Sequence, residues 1–147
     1  MHEFEQIEDA AIAALTPLLD DGLRTLETYN GQVEAEDIAE ITAQFPCIYV
    51  LAASLAGQAV NQATRYELTL TLIVGDRHPR GPRLAARGDA TGPGIYELLR
   101  LARNRLHGTA PLRRWGAWVL SDERPLVYAP RLQLCLYQAV YTIKHAN

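Results

Sequence analysis

The chain has 147 residues, of which 14 are basic and 17 acidic, so its formal charge is −3; 48% of its residues are hydrophobic. These are globular proportions in a chain long enough to form its own core, which excludes disordered, collagen-like and coiled-coil classes. No apolar run reaches the ~18 to 20 residues of a membrane span, and the acidic first residues are unlike a signal peptide. We therefore expect one cytoplasmic domain over residues 1–147 that does not insert into a membrane.

The first third of the sequence predicts two helices and a short strand. Apolar residues at helical spacing indicate a helix over Glu5–Asp20, in which Pro17 should produce a kink or an early stop. Alternation over Arg24–Tyr29 indicates a strand, followed by turn residues. A strongly acidic second helix is predicted over Glu34–Gln44.

Two strands and a long loop are predicted next. The unbroken apolar run Cys47–Ala53 is typical of a central strand that is covered on both faces. Clean alternation over Arg65–Val74 predicts a half-solvated antiparallel strand, and Gly57–Arg65 is interpreted as a loop between the two. Glycine and proline residues recur through Asp76–Pro93, so we predict an unusually long loop there. Loops of this length tend to be functional or mobile.

The last third predicts one helix and three strands. Pro93 and Gly108 suit the two ends of a helix with a clear apolar stripe. Strands are expected over Trp115–Leu120, Pro125–Ala129 and Leu132–Ile143. This order of elements indicates an α+β fold, with a largely antiparallel mixed sheet and about three helices packed on it.

The sequence offers no recognisable catalytic, cofactor or metal motif. Cys47 and Cys135 lie in apolar runs and are expected to be free core thiols. The segment Gly88-Asp-Ala-Thr-Gly-Pro-Gly94 opens a helix as a phosphate-binding loop does, but it lacks the Walker lysine, and Pro93 has no N–H to offer. We therefore expect no enzymatic activity, cofactor or metal.

Charge is strongly polarised along the chain. Residues 1–40 hold eleven acidic residues and one arginine, whereas residues 77–114 hold nine arginines and two acidic residues. These segments supply the candidate interface residues, which are Arg77, Arg80, Arg83, Arg87, Arg100, Arg103, Glu34, Glu36, Asp37 and Glu40.

Three interpretations of this polarity remain open. The two segments could neighbour each other within one fold, or lie on different flanks so that unlike surfaces of identical copies meet. The arginine-rich stretch could also form a nucleic-acid surface, together with His78.

Four segments, in this order, are similar to a known family. They are Ile7-Glu-Asp-Ala-Ala-Ile-Ala-Ala-Leu15, Leu23-Arg-Thr-Leu-Glu-Thr-Tyr-Asn-Gly-Gln32, Phe45-Pro-Cys-Ile-Tyr-Val-Leu51 and Gly94-Ile-Tyr-Glu-Leu-Leu-Arg-Leu-Ala-Arg-Asn-Arg-Leu-His-Gly108. Their order and spacing resemble small phage Mu tail proteins of the Gp37 type. The likeness covers most of the chain and supplies no active-site residues.

The resemblance implies a role in a contractile phage tail. Proteins of this kind are similar in role to tail terminators, so the chain is expected to form a ring with itself, commonly a hexamer, that caps the tail tube and sheath and docks the head connector. Such a protein would be in the host cytoplasm during assembly and then in the virion tail, with DNA passing through the ring unbound. The alternative is a cytoplasmic nucleic-acid-binding adaptor that uses the stretch 77–114.

Overall fold

A five-stranded sheet with helices on one face forms the body of the protein. The computed structural model describes residues 1–31 and 44–145. The strands lie in the order β1-β2-β3-β5-β4. Their bounds are β1 Thr25–Thr28, β2 Cys47–Val60, β3 Ala63–Arg77, β4 Val119–Ala129 and β5 Leu134–Lys144. The described helices are α1 Glu3–Leu15, α2 Pro82–Arg87 and α3 Gly94–Leu106. The predicted α+β class is confirmed.

The first helix ends where the proline predicts. The His2 imidazole accepts a hydrogen bond from the Phe4 N–H at the start of α1. After α1 the chain tightens into a 3₁₀ helix over Thr16–Asp21, which places Pro17 in the first turn of the new helix. A proline is tolerated there because the N–H it lacks has no helical partner in any case. The predicted second helix, Glu34–Gln44, lies almost entirely outside the described residues.

The sheet is mixed and largely antiparallel. β1 pairs with β2 in parallel, and the other three pairings are antiparallel. β2 is an interior strand, as predicted for the Cys47 run, although β3 occupies the middle of the five strands. Only Cys47–Val50, the part of β2 that pairs with β1, is fully buried.

Alternation on β3 separates a large core from a small one. Leu68, Leu70, Leu72 and Val74 are fully buried with residues of α1, α2 and α3, which confirms the predicted face of this strand. On the opposite face a smaller cluster surrounds Ile73. Cys135 belongs to the large core and Cys47 to the small one, and both are free, buried thiols.

The long loop predicted over Asp76–Pro93 is largely structured. β3 continues to Arg77, and α2 follows after a short turn. The prediction missed α2 because a six-residue helix with only Ala85 and Ala86 buried has no hydrophobic period to detect.

The carboxyl-terminal region has two long strands where three were predicted. β4 runs through the polar Ser121–Glu123 stretch, which was predicted to separate two strands, and continues through Pro125 to Ala129. An edge strand tolerates them, because its outer side needs no hydrogen bonds to the sheet. Trp115, expected in a strand, makes an isolated bridge to His145, and the fully buried Trp118 anchors the segment before β4.

The segment interpreted as a loop over Gly57–Arg65 is instead the end of a long β-hairpin. β2 and β3 pair without interruption from Ser54 to the turn, which has positive φ at Asn61 (49°) and Gln62 (68°). We call residues Ala53–Tyr66 the arm. Its side chains are almost all exposed, since the rest of the sheet ends below it.

Candidate assembly interface

The described helices of the two charged segments lie side by side on one face of the sheet, where α1 packs against α3. α1, with acidic residues Glu3 and Glu5 in its first turn, packs against β1 and β2. The arginine-bearing α2 and α3 pack against β3 and β5. α1 is therefore nearer the β1 edge of the sheet, and the arginine-bearing helices are nearer β5, with α1 and α3 in contact between them. The candidate acidic residues Glu34, Glu36, Asp37 and Glu40 lie outside the described residues.

The six candidate arginines do not form one uniform patch. Arg80, Arg83 and Arg87 are exposed around α2 and form no salt bridge with a residue that the structure describes. The guanidinium of Arg77 instead lies 5.2 Å above the centre of the Phe45 ring. We call Arg80, Arg83 and Arg87 the α2 arginines.

The two candidates on α3 are engaged within the subunit. Arg100 forms an ion pair with Glu97 one turn earlier on the helix. Arg103 binds Glu123 of β4, with Nη2 2.9 Å from Oε1. Exposed pairs of this kind contribute little to stability, but they neutralise the charge that a partner would meet.

A hydrogen-bonded turn fixes the segment that carries the α2 arginines. The Nε2 of His78 lies 2.6 Å from Oδ2 of Asp89, and its Nδ1 accepts a hydrogen bond from the Arg80 N–H. The other carboxylate oxygen of Asp89 accepts hydrogen bonds from the N–H and hydroxyl of Thr91. Hydrogen bonding to Thr91 lowers the pKa of Asp89 from 3.8 to about 2, so the turn keeps its charge over the physiological range.

Two glycines beside this turn, Gly88 and Gly94, allow two backbone segments to lie in close contact. A Cβ on Gly88 would lie 2.3 Å from the Pro93 carbonyl oxygen, and one on Gly94 would lie 2.3 Å from the Gly88 nitrogen. These glycines therefore let the end of α2 touch the start of α3. The likeness of this segment to a phosphate-binding loop has this structural origin.

A cleft of about 340 Å³ lies between the hydrogen-bonded turn of His78 and Asp89 and the residues Arg24 and Phe45. Asp76 lines this cleft. Burial raises the pKa of Asp76 from 3.8 to about 6. The folded state therefore holds this proton more tightly than the unfolded state, and the free energy of unfolding falls as the pH rises from about 4 to about 6. Asp76 is thus a destabilising carboxylate at neutral pH.

We expect Asp76→Asn to raise the free energy of unfolding by about 1 to 3 kcal/mol at pH 7.5 and to change it little at pH 4. The amide removes the buried charge and keeps an oxygen for the Arg77 N–H, which the carboxylate now binds. Urea denaturation at the two pH values measures the difference. Asp20→Asn, at an exposed position, is the control; an equal gain at both pH values would contradict this assignment.

A cluster of three tyrosines, one of which lies near Arg87, could not be seen in the sequence. The hydroxyl oxygens of Tyr128 and Tyr137 are 2.8 Å apart, and that of Tyr96 is 3.2 Å from Tyr137. Tyr96 and Tyr128 expose nearly half of their side chains. The three residues come from α3, β4 and β5, so only the fold brings them together.

The described residues contain no group of three His, Cys, Asp or Glu side chains placed to hold a metal ion. Within the same part of the chain, no helix is long and apolar enough to cross a membrane. The features of this surface that stand out are the α2 arginines, the tyrosine cluster and the arm.

Comparison with known proteins agrees with a role in a phage particle. Residues 3–111, from α1 to just beyond α3, match the model of the family described as Bacteriophage Mu, Gp37. A search of curated proteins finds no match. Because the matched region exceeds half of the chain, this protein belongs to the phage Mu Gp37 family and is a structural protein of a Mu-like phage.

Proposed function

We propose that this protein is a tail terminator or tail-completion subunit, which forms a ring at the end of the tail tube and sheath and joins them to the head connector. The family match supports a place in the phage particle. The observation that carries the ring is the uneven placement of charge on the helical face of the sheet, where the acidic α1 lies toward β1 and the arginine-bearing α2 and α3 lie toward β5. Unlike flanks of identical copies attract each other, and such head-to-tail contacts close when the rotation permits.

The size of the subunit suits a ring around DNA. A chain of this length has a radius of gyration of about 15 Å. Six touching copies then enclose a hole on the order of 35 to 40 Å wide before side chains enter it. Duplex DNA passes such a hole without a specific binding site, so the ring needs no sequence recognition. The hexamer, the virion-tail location and the assembly in the host cytoplasm are parts of this proposal.

Deleting the gene tests the proposed role. A lysate without this protein should contain tubes of variable length that lack heads, because nothing stops polymerisation or offers a docking surface. Adding the purified protein should restore the joining of heads. Normal-length tails joined to heads in the deletion lysate would contradict the proposal.

The α2 arginines give a prediction about the ring contact. The double variant Arg83→Glu/Arg87→Glu should weaken self-association at least ~10-fold at low salt and leave thermal stability nearly unchanged, because both side chains are exposed. Arg83→Lys/Arg87→Lys keeps the charge and is the matched control. Sedimentation at several salt concentrations measures both. The prediction fails if the two double variants associate equally well.

One observation favours nucleic-acid binding as a second candidate function. The exposed Tyr96 lies near Arg87 and is hydrogen-bonded to the exposed Tyr128, and aromatic rings beside a basic surface are typical of proteins that bind single strands. A mobility-shift titration over a range of salt concentrations separates the two functions. An adaptor would bind DNA tightly and with steep salt dependence in the absence of any tail component.

A further inference from the structure

The arm presents a free strand edge to solvent. β1 covers the outer side of β2 only as far as Val50, and the Glu8 carboxylate accepts a hydrogen bond from the Ala52 N–H just beyond it. From Ala53 to Val60, no described residue pairs with the outer side of β2. At the usual rise per residue this edge is about 25 Å long. It is long enough to receive another strand.

The turn of the arm determines which backbone groups of this edge point outward. With positive φ at Asn61 and Gln62 the turn has the geometry of a two-residue type I′ turn, which makes Val60 and Ala63 a hydrogen-bonded pair. Pairs with and without hydrogen bonds alternate along an antiparallel ladder. Three residues of β2 therefore direct their N–H and C=O groups away from β3, and these are Leu55, Gly57 and Ala59.

The outward groups of the edge are self-complementary. They are placed symmetrically about Gly57, which has one outward residue two positions before it and one two positions after it. When two identical edges pair antiparallel, Gly57 lies opposite Gly57 of the partner subunit, and Leu55 lies opposite Ala59 of the partner subunit. Each outward N–H then meets an outward C=O of the other copy. The edge thus satisfies its own hydrogen-bonding groups.

This register leaves room for both subunits. Val60 of one copy is level with Ser54 of the partner subunit, so each turn reaches only to the bulge at Ala53 at the base of the other arm. Val50, where β1 ends, lies beyond the other copy's turn. The helices and the remaining strands of the two subunits therefore lie at opposite ends of the joined arms, and β1 does not obstruct the pairing.

The charge of the arm favours a second copy as the occupant of the edge. Near a two-fold axis each residue meets its own kind, so a charged edge would repel itself. Residues 47–64 contain no charged side chain and no proline, although charges and prolines normally protect an exposed edge. The chain is 21% charged as a whole, so this stretch is unlike the rest of it.

The first charged residues beyond the edge also suit a two-fold contact. On β3, Arg65 pairs with Gln58 and Glu67 pairs with Ala56. In the antiparallel register Gln58 lies opposite Ala56 of the partner subunit. Arg65 is then in line with Glu67 of the partner subunit across the joined sheet, so unlike charges share a level on both sides of the axis.

Tyr66 supplies apolar surface beside the axis. It pairs with Gly57 and leaves 43% of its surface exposed. Its ring leans over that glycine, because a Cβ added to Gly57 would lie 3.3 Å from Cε1 of Tyr66. An aromatic ring in this position shields a glycine within a sheet. Pairing of two arms places the two glycines side by side, and the two rings then lean toward each other over them.

We propose that the free edge of β2 in the arm pairs antiparallel with the same edge of a second copy of this chain, about a two-fold axis at Gly57. The contact goes beyond the proposed ring, because a two-fold contact closes on itself and joins copies in pairs. Two arms in contact form one four-stranded antiparallel sheet. A single hairpin in water is at best marginally stable, so both arms gain from the pairing.

Removing an outward N–H tests the pairing. Ala59→Pro removes one such group from each edge and leaves the hydrogen bonds between β2 and β3 intact. It should weaken dimerisation at least ~10-fold in sedimentation equilibrium, whereas Ala59→Val, which keeps the N–H, should dimerise within about threefold of the unmodified chain. Thermal melts verify folding. Equal dimerisation of the two variants would overturn the proposal.

Tyr66 provides a second test that does not alter the backbone. Tyr66→Ala removes the exposed ring and should weaken dimerisation at least ~10-fold. Tyr66→Phe keeps the ring and is the matched control, which should dimerise within about threefold of the unmodified chain. If Tyr66→Ala dimerises as well as Tyr66→Phe, the two-fold contact at Gly57 is wrong.

Disulfide trapping tests the register. Ala56 and Gln58 of the partner subunit would form a pair without hydrogen bonds, with Cα atoms about 4.5 Å apart, which suits a disulfide. Two copies of either residue alone would be diagonal neighbours about 7 to 8 Å apart. A mixture of Ala56→Cys and Gln58→Cys proteins should therefore cross-link much faster than either variant alone.

The native cysteines do not interfere with this experiment. Burial raises the pKa of Cys47 to about 12 and that of Cys135 to about 11, so both thiols stay protonated and unreactive. No cross-link in the mixture, or cross-links that form as fast within one variant, would contradict the proposed pairing.

The dimer and the ring can be tested apart. Arg83→Glu/Arg87→Glu changes residues outside the arm, so this variant should lose larger assemblies and keep the dimer. Ala59→Pro should lose the dimer and still form rings on tail tubes. A wild-type protein that is monomeric in free solution yet forms rings on tubes would overturn the two-fold contact and leave the terminator role intact.

Discussion

Truncating Leu70 to alanine is expected to lower the free energy of unfolding by about 2 to 5 kcal/mol. Leu70 is fully buried in the middle of the central strand, between Ala52 of β2 and Tyr141 of β5, and it faces the helices. Strand neighbours on both sides are held in register, so the cavity cannot close by a local shift. Urea denaturation curves measure the loss as a lower midpoint with an unchanged slope.

Leu55→Ala provides the control for Leu70→Ala, because it removes the same atoms from the exposed arm. We expect this variant to cost less than about 1 kcal/mol in the free energy of unfolding. Equal losses for the two variants would show that the large core does not lie between β3 and the helices.

Replacing Gly94 with alanine is the second change with a large expected effect. The added Cβ would sit at φ 78°, a backbone conformation that alanine disfavours, and 2.3 Å from the Gly88 nitrogen. Strain of the first kind costs about 1 to 3 kcal/mol, and forced overpacking adds about as much. We therefore expect the free energy of unfolding to fall by about 2 to 6 kcal/mol, measured by urea denaturation.

Gly92→Ala is the matched control for this substitution. It lies two residues away in the same glycine-rich segment, and an added Cβ there meets nothing within 4 Å. Its effect should stay within about 0.5 kcal/mol. If both variants retain full stability, the close approach of α2 and α3 does not hold in solution.

The regular parts of the fold could be predicted from sequence because their signals are local. The alternation of Leu68, Leu70 and Leu72 fixes which face of β3 is buried. Pro17 marks the place where α1 gives way to a tighter helix, and Gly108, at φ 84°, follows α3 as a cap residue should. Each of these sequence signals determines the structure of residues only a few positions away.

The elements that were missed depend on contacts between distant residues. β4 continues through the polar Ser121–Glu123 stretch because that strand lies at an edge of the sheet, and strand order is not written in local sequence. The arm was read as a loop because Gly57 and the small polar residues after it have no alternation, although Tyr66 packs across Gly57 and supports it. Nothing in the local sequence indicates that β2 pairs with a strand as short as β1.

The charge of the candidate interface could be predicted from the sequence, but the contacts that its charged groups make within the subunit could not. The composition of residues 77–114 showed an excess of arginine, yet it could not show that Arg100 and Arg103 are paired with Glu97 and Glu123. The tyrosine cluster joins residues of α3, β4 and β5, which only the folded chain brings together. The sequence therefore shows which segments are charged, and the fold determines which of their charged groups are already paired within the subunit.

Electron microscopy of tail tubes assembled without this protein, and then mixed with it, tests the central claim most directly. We predict a collar of density around one end of each tube, with the width of a closed ring of these subunits. Bare tube ends, with the added protein remaining monomeric in solution, would contradict the account.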